Sequence, residues 1–166
     1  MEARRKPVLT ERKILDAALE LLDAGGPEAA SIRRIAAAVG TAPNAVYTLF
    51  PDRAAVETAL VERLLGRVRT TAKGRAGAEW IVLELRRALL EHRGLIPVVL
   101  GRPPDVRLLG RLRELLAGDG LDPVWAARGS YLMVVFVLGS VAAGSDTEQY
   151  AWGLRRVLEG LGRGEK

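Results

Sequence analysis

The chain has 166 residues, 25 basic and 20 acidic, giving a formal charge of +5, with one histidine and no cysteine. That length suits one ordinary domain, or two small ones sharing a helix. The composition excludes disulfides, thiol catalysis, cysteine zinc fingers and any multi-histidine metal centre.

The cationic excess lies toward the N-terminus. Residues 1–75 hold 13 basic and 9 acidic side chains, against 12 and 11 in residues 76–166. Affinity for a polyanion would therefore depend on where the cations stand rather than on bulk charge. Arg4, Arg5 and Lys6 form a basic arm, which is either a solvated terminus or a contact to phosphates or the minor groove. No apolar run follows these charges, so no secretory leader is expected.

The spacing predicts a first helix over Thr10–Ala24. Thr10 is its cap, its stripe is Ile14, Ala17, Ala18, Leu21 and Leu22, and Gly25 and Gly26 end it. Residues 31–53 read SIRRIAAAVGTAPNAVYTLFPDR. Ile32, Ile35, Ala36 and Val39 mark a short helix, and Gly40 supplies the left-handed backbone of a tight turn. A second short helix presents Val46, Tyr47 and Phe50 on one face. Two short helices about a glycine turn form a helix-turn-helix, whose second helix lies in the DNA major groove. Asp52 caps a fourth helix running to about Arg69 through Val56, Leu60, Leu64 and Leu65.

Further along, Lys73–Gly77 is expected to be a loop and Ala78–His92 a helix with Ile81, Leu85, Ala88 and Leu89 inward. Gly94–Gly101 reads as a short apolar turn, and Arg102, Pro103 and Pro104 as a breaker. A helix over Asp105–Ala117 carries Val106, Leu109, Leu112 and Leu116. Asp122 caps, and Pro123 opens, a helix to Ala143. Its apolar stretch Tyr131–Ala143 is shorter than the roughly 20 residues of a bilayer span and reads as a core helix, so a soluble, cytoplasmic protein without membrane association is expected. The last helix, Asp146–Leu161, sets Tyr150, Leu154, Val157, Leu158 and Leu161 at helical spacing. No strand alternation persists, so the expected fold class is all-α.

Ser31, Ile35, Ala36, Gly40, Tyr47, Phe50 and Arg53 stand at spacings that resemble the TetR-type family of bacterial transcriptional repressors. The resemblance covers about residues 10–65, and HRGLIPVVLGRPP and YAWGLRRVLEGL resemble the family's effector domains. It implies a three-helix DNA-binding domain over residues 1–51 and a helical ligand-binding and dimerisation domain over 52–166, joined by a linking helix. The implied partners are a double-stranded DNA operator, a small-molecule effector of unknown identity and a second copy of the chain. No cofactor is implied.

The implied DNA-facing residues are Ser31, Arg33, Pro43, Asn44, Tyr47, Thr48 and Arg53. Arg33 can pair with guanine, sit on phosphate or be a solvated surface charge, and Asn44 can pair with adenine or act as a local cap. Tyr47 is expected to bury its ring and send its hydroxyl to phosphate; Ser31, Thr48 and Arg53 fix register without reading sequence. Two positions depart from the family pattern: Ala42 stands where Ser is usual, and Leu49 where an aromatic residue or His is usual. Both remove polar groups from the DNA face.

Candidate effector residues are Trp80, Glu84, Trp125, Arg128 and Tyr131, each equally readable as packing or surface. Apolar surface on the last two helices suggests a four-helix subunit interface, against a monomer in which those stripes are the core. No nucleophile-elbow or phosphate-loop pattern is present, and His92 reads as a helix-end residue, so an enzyme is not expected. Two other readings are a DNA-binding factor without an effector, and a helical interaction module that has lost DNA binding.

Overall fold

The computed structural model describes residues 8–161, so the arm of Arg4, Arg5 and Lys6 lies outside the described residues. Among the described residues every regular element is helical. The elements are α1 (Glu11–Gly25), α2 (Ile32–Ala38), α3 (Pro43–Tyr47), α4 (Arg53–Arg67), α5 (Gly74–Glu91), α6 (Ile96–Leu100), α7 (Val106–Gly118), α8 (Pro123–Ala142) and α9 (Thr147–Leu161). Single 3-10 turns cover Pro27–Ala29 and Arg93–Leu95. The chain divides into two compact units: one runs through Arg63 and takes in Arg93–Val98, and the other comprises Leu64–His92 and the chain from Val99 onward.

In the first unit, the local signals act as expected. Thr10 Oγ1 accepts from Lys13 N–H at 3.3 Å and opens α1; Asp52 Oδ1 accepts from Ala55 N–H at 2.7 Å and opens α4. Each satisfies a backbone donor left free at a helix start. Gly40 has φ 70°, the left-handed value the turn between α2 and α3 requires. Ile14, Ala18 and Leu22 of α1, Ile35 and Ala36 of α2, Val46 of α3, Phe50, and Val56 and Leu60 of α4 are the buried apolar set. Arg63 Nη2 bonds Asp16 Oδ1 at 2.5 Å, tying α4 to α1.

The same unit holds a contact the sequence pattern did not show. At Gly94 a Cβ atom would stand 2.2 Å from the backbone carbonyl of Leu22. The turn therefore lies backbone against backbone on α1, and only glycine fits. Gly94 N–H donates to Asp23 Oδ1 at 3.0 Å, and Leu95 is fully buried beside it.

In the second unit, α5, α7, α8 and α9 pack together, with α8 against both α5 and α7. Its core is Ile81, Val82, Leu85 and Leu89 of α5, Leu112 and Leu116 of α7, Met133, Val134 and Val137 of α8, and Tyr150 and Leu154 of α9. Asp122 Oδ1 accepts from Val124 N–H at 2.8 Å and caps α8, and Asp146 Oδ1 accepts from Gln149 N–H at 2.7 Å at the start of α9.

Several expectations are corrected. Helix α4 ends at Arg67 rather than Arg69. The loop expected at Lys73–Gly77 is the first turn of α5, where Gly77 comes so close to the Ala72 carbonyl that a Cβ would stand 2.4 Å from it. The apolar turn expected at Gly94–Gly101 contains helix α6, because Pro97 falls in a first helical turn, where its missing N–H is harmless. In α7 the inward line is Leu108, Leu112 and Leu116, an i, i+4, i+8 row, and Val106 is 79% exposed. Finally, α8 is a single 20-residue helix, so by length and composition it could cross a membrane; its Met133, Val134 and Val137 are instead buried in the unit.

Candidate nucleic-acid interface

Helix α2 begins with Ser31, whose Oγ accepts from Arg34 N–H at 3.3 Å. The hydroxyl proton remains available to a phosphate. Ile32, Ile35 and Ala36 are buried, so residues 33 and 34 fall out of phase with them and both arginines are exposed. After the Gly40 turn, α3 opens at Pro43 with Ala42 as a cap position that makes no side-chain bond. No side chain substitutes for it, so local capping does not occupy Asn44, which is exposed. Val46 anchors α3 in the core at 0% exposure.

Tyr47 departs from expectation. Its ring is not enclosed: the residue is 49% exposed, which places both ring and hydroxyl on the outer face. Thr48 Oγ1 donates to the Ala45 carbonyl at 2.7 Å, so its proton is committed within the helix and its oxygen is left as an acceptor. Arg53 Nε bonds Glu57 Oε1 at 2.7 Å, with Glu28 at 3.9 Å from Nη1, so its charge is shared with two acids. Leu49 is exposed and apolar on the same surface. Arg33, Arg34, Asn44 and Tyr47 are thus the exposed polar groups of α2 and α3 best able to donate to DNA. Arg34 was missed in sequence; its signal is that it shares with Arg33 the gap in the apolar period.

The candidate effector residues stand mostly on outer faces of the second unit. Trp80 is 48% exposed and its Nε1–H donates to the Arg69 carbonyl at 3.1 Å. Glu84 pairs with Arg87 at 2.8 Å, and Arg87 also reaches Glu91 at 2.9 Å. Those two acids raise the pKa of the Arg87 guanidinium, Glu84 by a hydrogen bond and by charge, Glu91 by charge. On α8, Arg128 stacks its guanidinium 5.1 Å from the Trp125 ring centre, and Tyr131 is 54% exposed. The structure brings Trp125 and Arg128 together. Trp80 and Glu84 are engaged with the neighbours just named.

Inside the same unit lies a polar group not singled out in the sequence. Arg86 is 7% exposed, on the inward face of α5. Its guanidinium lies 4.6 Å from the Tyr150 ring centre, and Nη2 donates to the carbonyls of Ser145 at 2.6 Å and Asp146 at 3.2 Å. Tyr150 stacks on Phe136 with centroids 5.4 Å apart. Burial pushes the Tyr150 hydroxyl well above the usual phenol range, against a downward pull from Arg86. The signal in sequence is an arginine one residue from Leu85 in the buried run. Among the described residues no cluster of His, Asp or Glu fits a metal ion.

An exposed two-helix reading head, built on a small buried core, defines the helix-turn-helix class of folds. Residues 14–60 match the family model described as bacterial regulatory proteins, tetR family. The matched segment of the chain is of the TetR type. An HTH-type transcriptional regulator of Saccharopolyspora erythraea is 30% identical over 156 residues, covering 87% of this chain and 64% of that protein. The tetracycline repressor protein class D of Escherichia coli is 31% identical over 103 residues, covering 58% and 47%. The chain therefore spans less than two thirds of the length of these relatives. Among solved structures, ActR of Streptomyces coelicolor in complex with actinorhodin has a TM-score of 0.82 at 22% identity, covering 93% of this chain and 96% of that one. BioQ of Mycobacterium smegmatis, solved with its natural double-stranded DNA operator, has a TM-score of 0.79 at 22% identity, covering 93% and 98%. At such identity the likeness shows the fold.

Proposed function

We propose that this chain is a homodimeric transcriptional repressor that binds a pseudo-palindromic DNA operator and releases it in response to a small molecule. Residues 1–51 would bind DNA and residues 52–166 would bind the ligand and the second copy. One observation carries the DNA reading: Arg33, Arg34, Asn44 and Tyr47 are exposed, while Ile35, Ala36 and Val46 beneath them are buried. Rigid packing below and donors above suit readout of base edges and phosphates. BioQ, solved on its operator, and ActR, solved with actinorhodin, lend the reading support from proteins of the same fold. A cytoplasmic location follows if the target is the chromosome. Ala42 and Leu49 favour a second reading, an interaction module without DNA binding, because both subtract polar groups from this face.

The dimer is supported by the outer face of α8, where Leu132 and Val135 are 46% and 44% exposed, and by Trp152 of α9, 59% exposed. Apolar side chains on adjacent turns of an outer face are the usual mark of a subunit contact. The α9 stripe read from sequence is already used: Tyr150, Leu154 and Leu158 are buried within the subunit. A second copy must meet the other side of the helix.

The experiment is a selection of genomic fragments on the purified protein. Recovery of a shared inverted repeat is expected, and recovery of no DNA would overturn the operator reading and favour the second. In sedimentation the native protein is expected at twice the chain mass. Val135→Arg sets a charge on the outer face of α8 and should sediment as a single chain with weaker operator binding. A native protein of single-chain mass would remove the dimer.

A further inference from the structure

We infer that Thr48 reads a thymine of the operator through the C5-methyl group of that base. This deepens the operator reading above and rests on it. The family resemblance places Thr48 among the phosphate contacts; the geometry of α3 gives it a different task.

The first observation is where Thr48 stands on the helix. Its φ of −69° and ψ of −22° are right-handed helical, and Phe50 N–H donates to the Val46 carbonyl at 2.9 Å. The helical turn therefore runs past Tyr47, and Thr48 keeps phase with it. Asn44 and Thr48 stand four residues apart, so they share one ridge, and both are exposed. Val46 and Phe50 share another ridge, and both are buried. At roughly 100° per residue the two ridges lie about 200° apart, on opposite sides of the helix. The ridge of Asn44 and Thr48 is the one farthest from the core. A helix laid in the major groove turns that ridge to the base edges and its flanks to the phosphate walls.

The second observation is the state of the hydroxyl. A threonine hydroxyl has one proton, and here Oγ1 donates it to the Ala45 carbonyl at 2.7 Å. An oxygen so engaged has nothing to donate to a phosphate and would meet it acceptor against acceptor. The γ-methyl is the arm of the side chain left without a partner. Among the base edges of the major groove, the thymine C5-methyl is the apolar group. Setting one methyl on the other removes both from water and breaks no hydrogen bond. One helical turn advances about 5.4 Å, and stacked base pairs are about 3.4 Å apart. The thymine therefore lies one or two base pairs from the base that Asn44 faces.

The test uses the full-length protein and the operator recovered by genomic selection. Each thymine is replaced in turn by deoxyuridine, which lacks only the C5-methyl. One such replacement per half-site should weaken native binding about fourfold, the worth of one buried methyl group. Thr48→Ser keeps the hydroxyl and deletes the methyl, so it should bind the thymine and uracil forms of that position alike. Thr48→Val keeps a methyl arm and deletes the hydroxyl, so it should retain the native preference for thymine. Three results would overturn the inference: no replacement weakens native binding, Thr48→Ser keeps the full native preference at every thymine, or Thr48→Val loses affinity equally for operator and random DNA. Operator binding that survives without methyl sensitivity removes only this role of Thr48. A protein that retains no DNA removes the operator reading along with it.

Discussion

The reading head and the helical bundle of the second unit use their side chains in opposite ways. In α2 and α3 the chemistry points outward from a core of a few small residues: Ile35, Ala36 and Val46 are within 1% of full burial, while Arg33, Arg34 and Asn44 face solvent. In α5 and α9 the notable polar groups, Arg86 and Tyr150, point inward. A surface that must meet many bases keeps its donors wet and its frame dry. In the second unit selected polar groups lie in an apolar interior, where each unmet hydrogen bond counts heavily.

Breaking this contrast should cost most in the second unit. Leu112 is fully buried in α7, and Leu112→Ala should lower unfolding free energy by about 2–5 kcal/mol. Urea titration measures it, and a loss under about 1 kcal/mol would mean that the α7 packing described here is wrong. Arg33→Ala should instead leave stability within about 0.5 kcal/mol, as an exposed substitution does.

At DNA the same Arg33→Ala change should have the next largest effect. If Arg33 reads a guanine, its loss should cost about 1–3 kcal/mol of operator binding and relax preference at one position per half-site. Arg34→Ala should weaken specific and random DNA alike and flatten the salt dependence. Equal losses on specific and random DNA for Arg33→Ala would place it among the phosphate contacts.

The smallest effect is one of pH. Burial raises the Tyr150 pKa above the 10.0 of a free phenol. The folded chain then holds a proton that the unfolded chain gives up, so the contribution is complete below pH 10 and is lost as pH rises beyond it. Stability measured in alkali should therefore fall less steeply in Tyr150→Phe than in the native protein. Identical slopes would show that Tyr150 is not held in its buried, protonated form.

How much of this was legible in the sequence follows from the range of the forces involved. Caps at Thr10, Asp52 and Asp122 act over two or three residues, and each forms where the sequence puts it. The Gly40 turn and the apolar phase of α2 are equally local, which is why the family and the all-α class could be read early. Register on α7 was misjudged because Val106 and Leu108 are equally apolar, and only packing against α5 and α8 selects one. The placement of Tyr47 and the Arg53 pairing with Glu28 and Glu57 depend on neighbours that spacing within the motif does not specify. Arg86 was passed over for a related reason. Arginine on a helix usually faces water, and its inward turn is set by carbonyls some 59 and 60 residues away.

The close seat of Gly94 on α1 has a consequence for the order in which the protein can form. The first unit is not a continuous stretch: it includes Arg93–Val98, where Leu95 and Val98 are buried. During synthesis the helix-turn-helix leaves the ribosome well before that segment does. The base of α1 near Leu22 stays open to water until then, and the reading head completes its core only when the intervening chain has been made. A fragment ending at Arg63 should accordingly be a poorer folder than its helices suggest, because the piece that closes it is encoded thirty residues later.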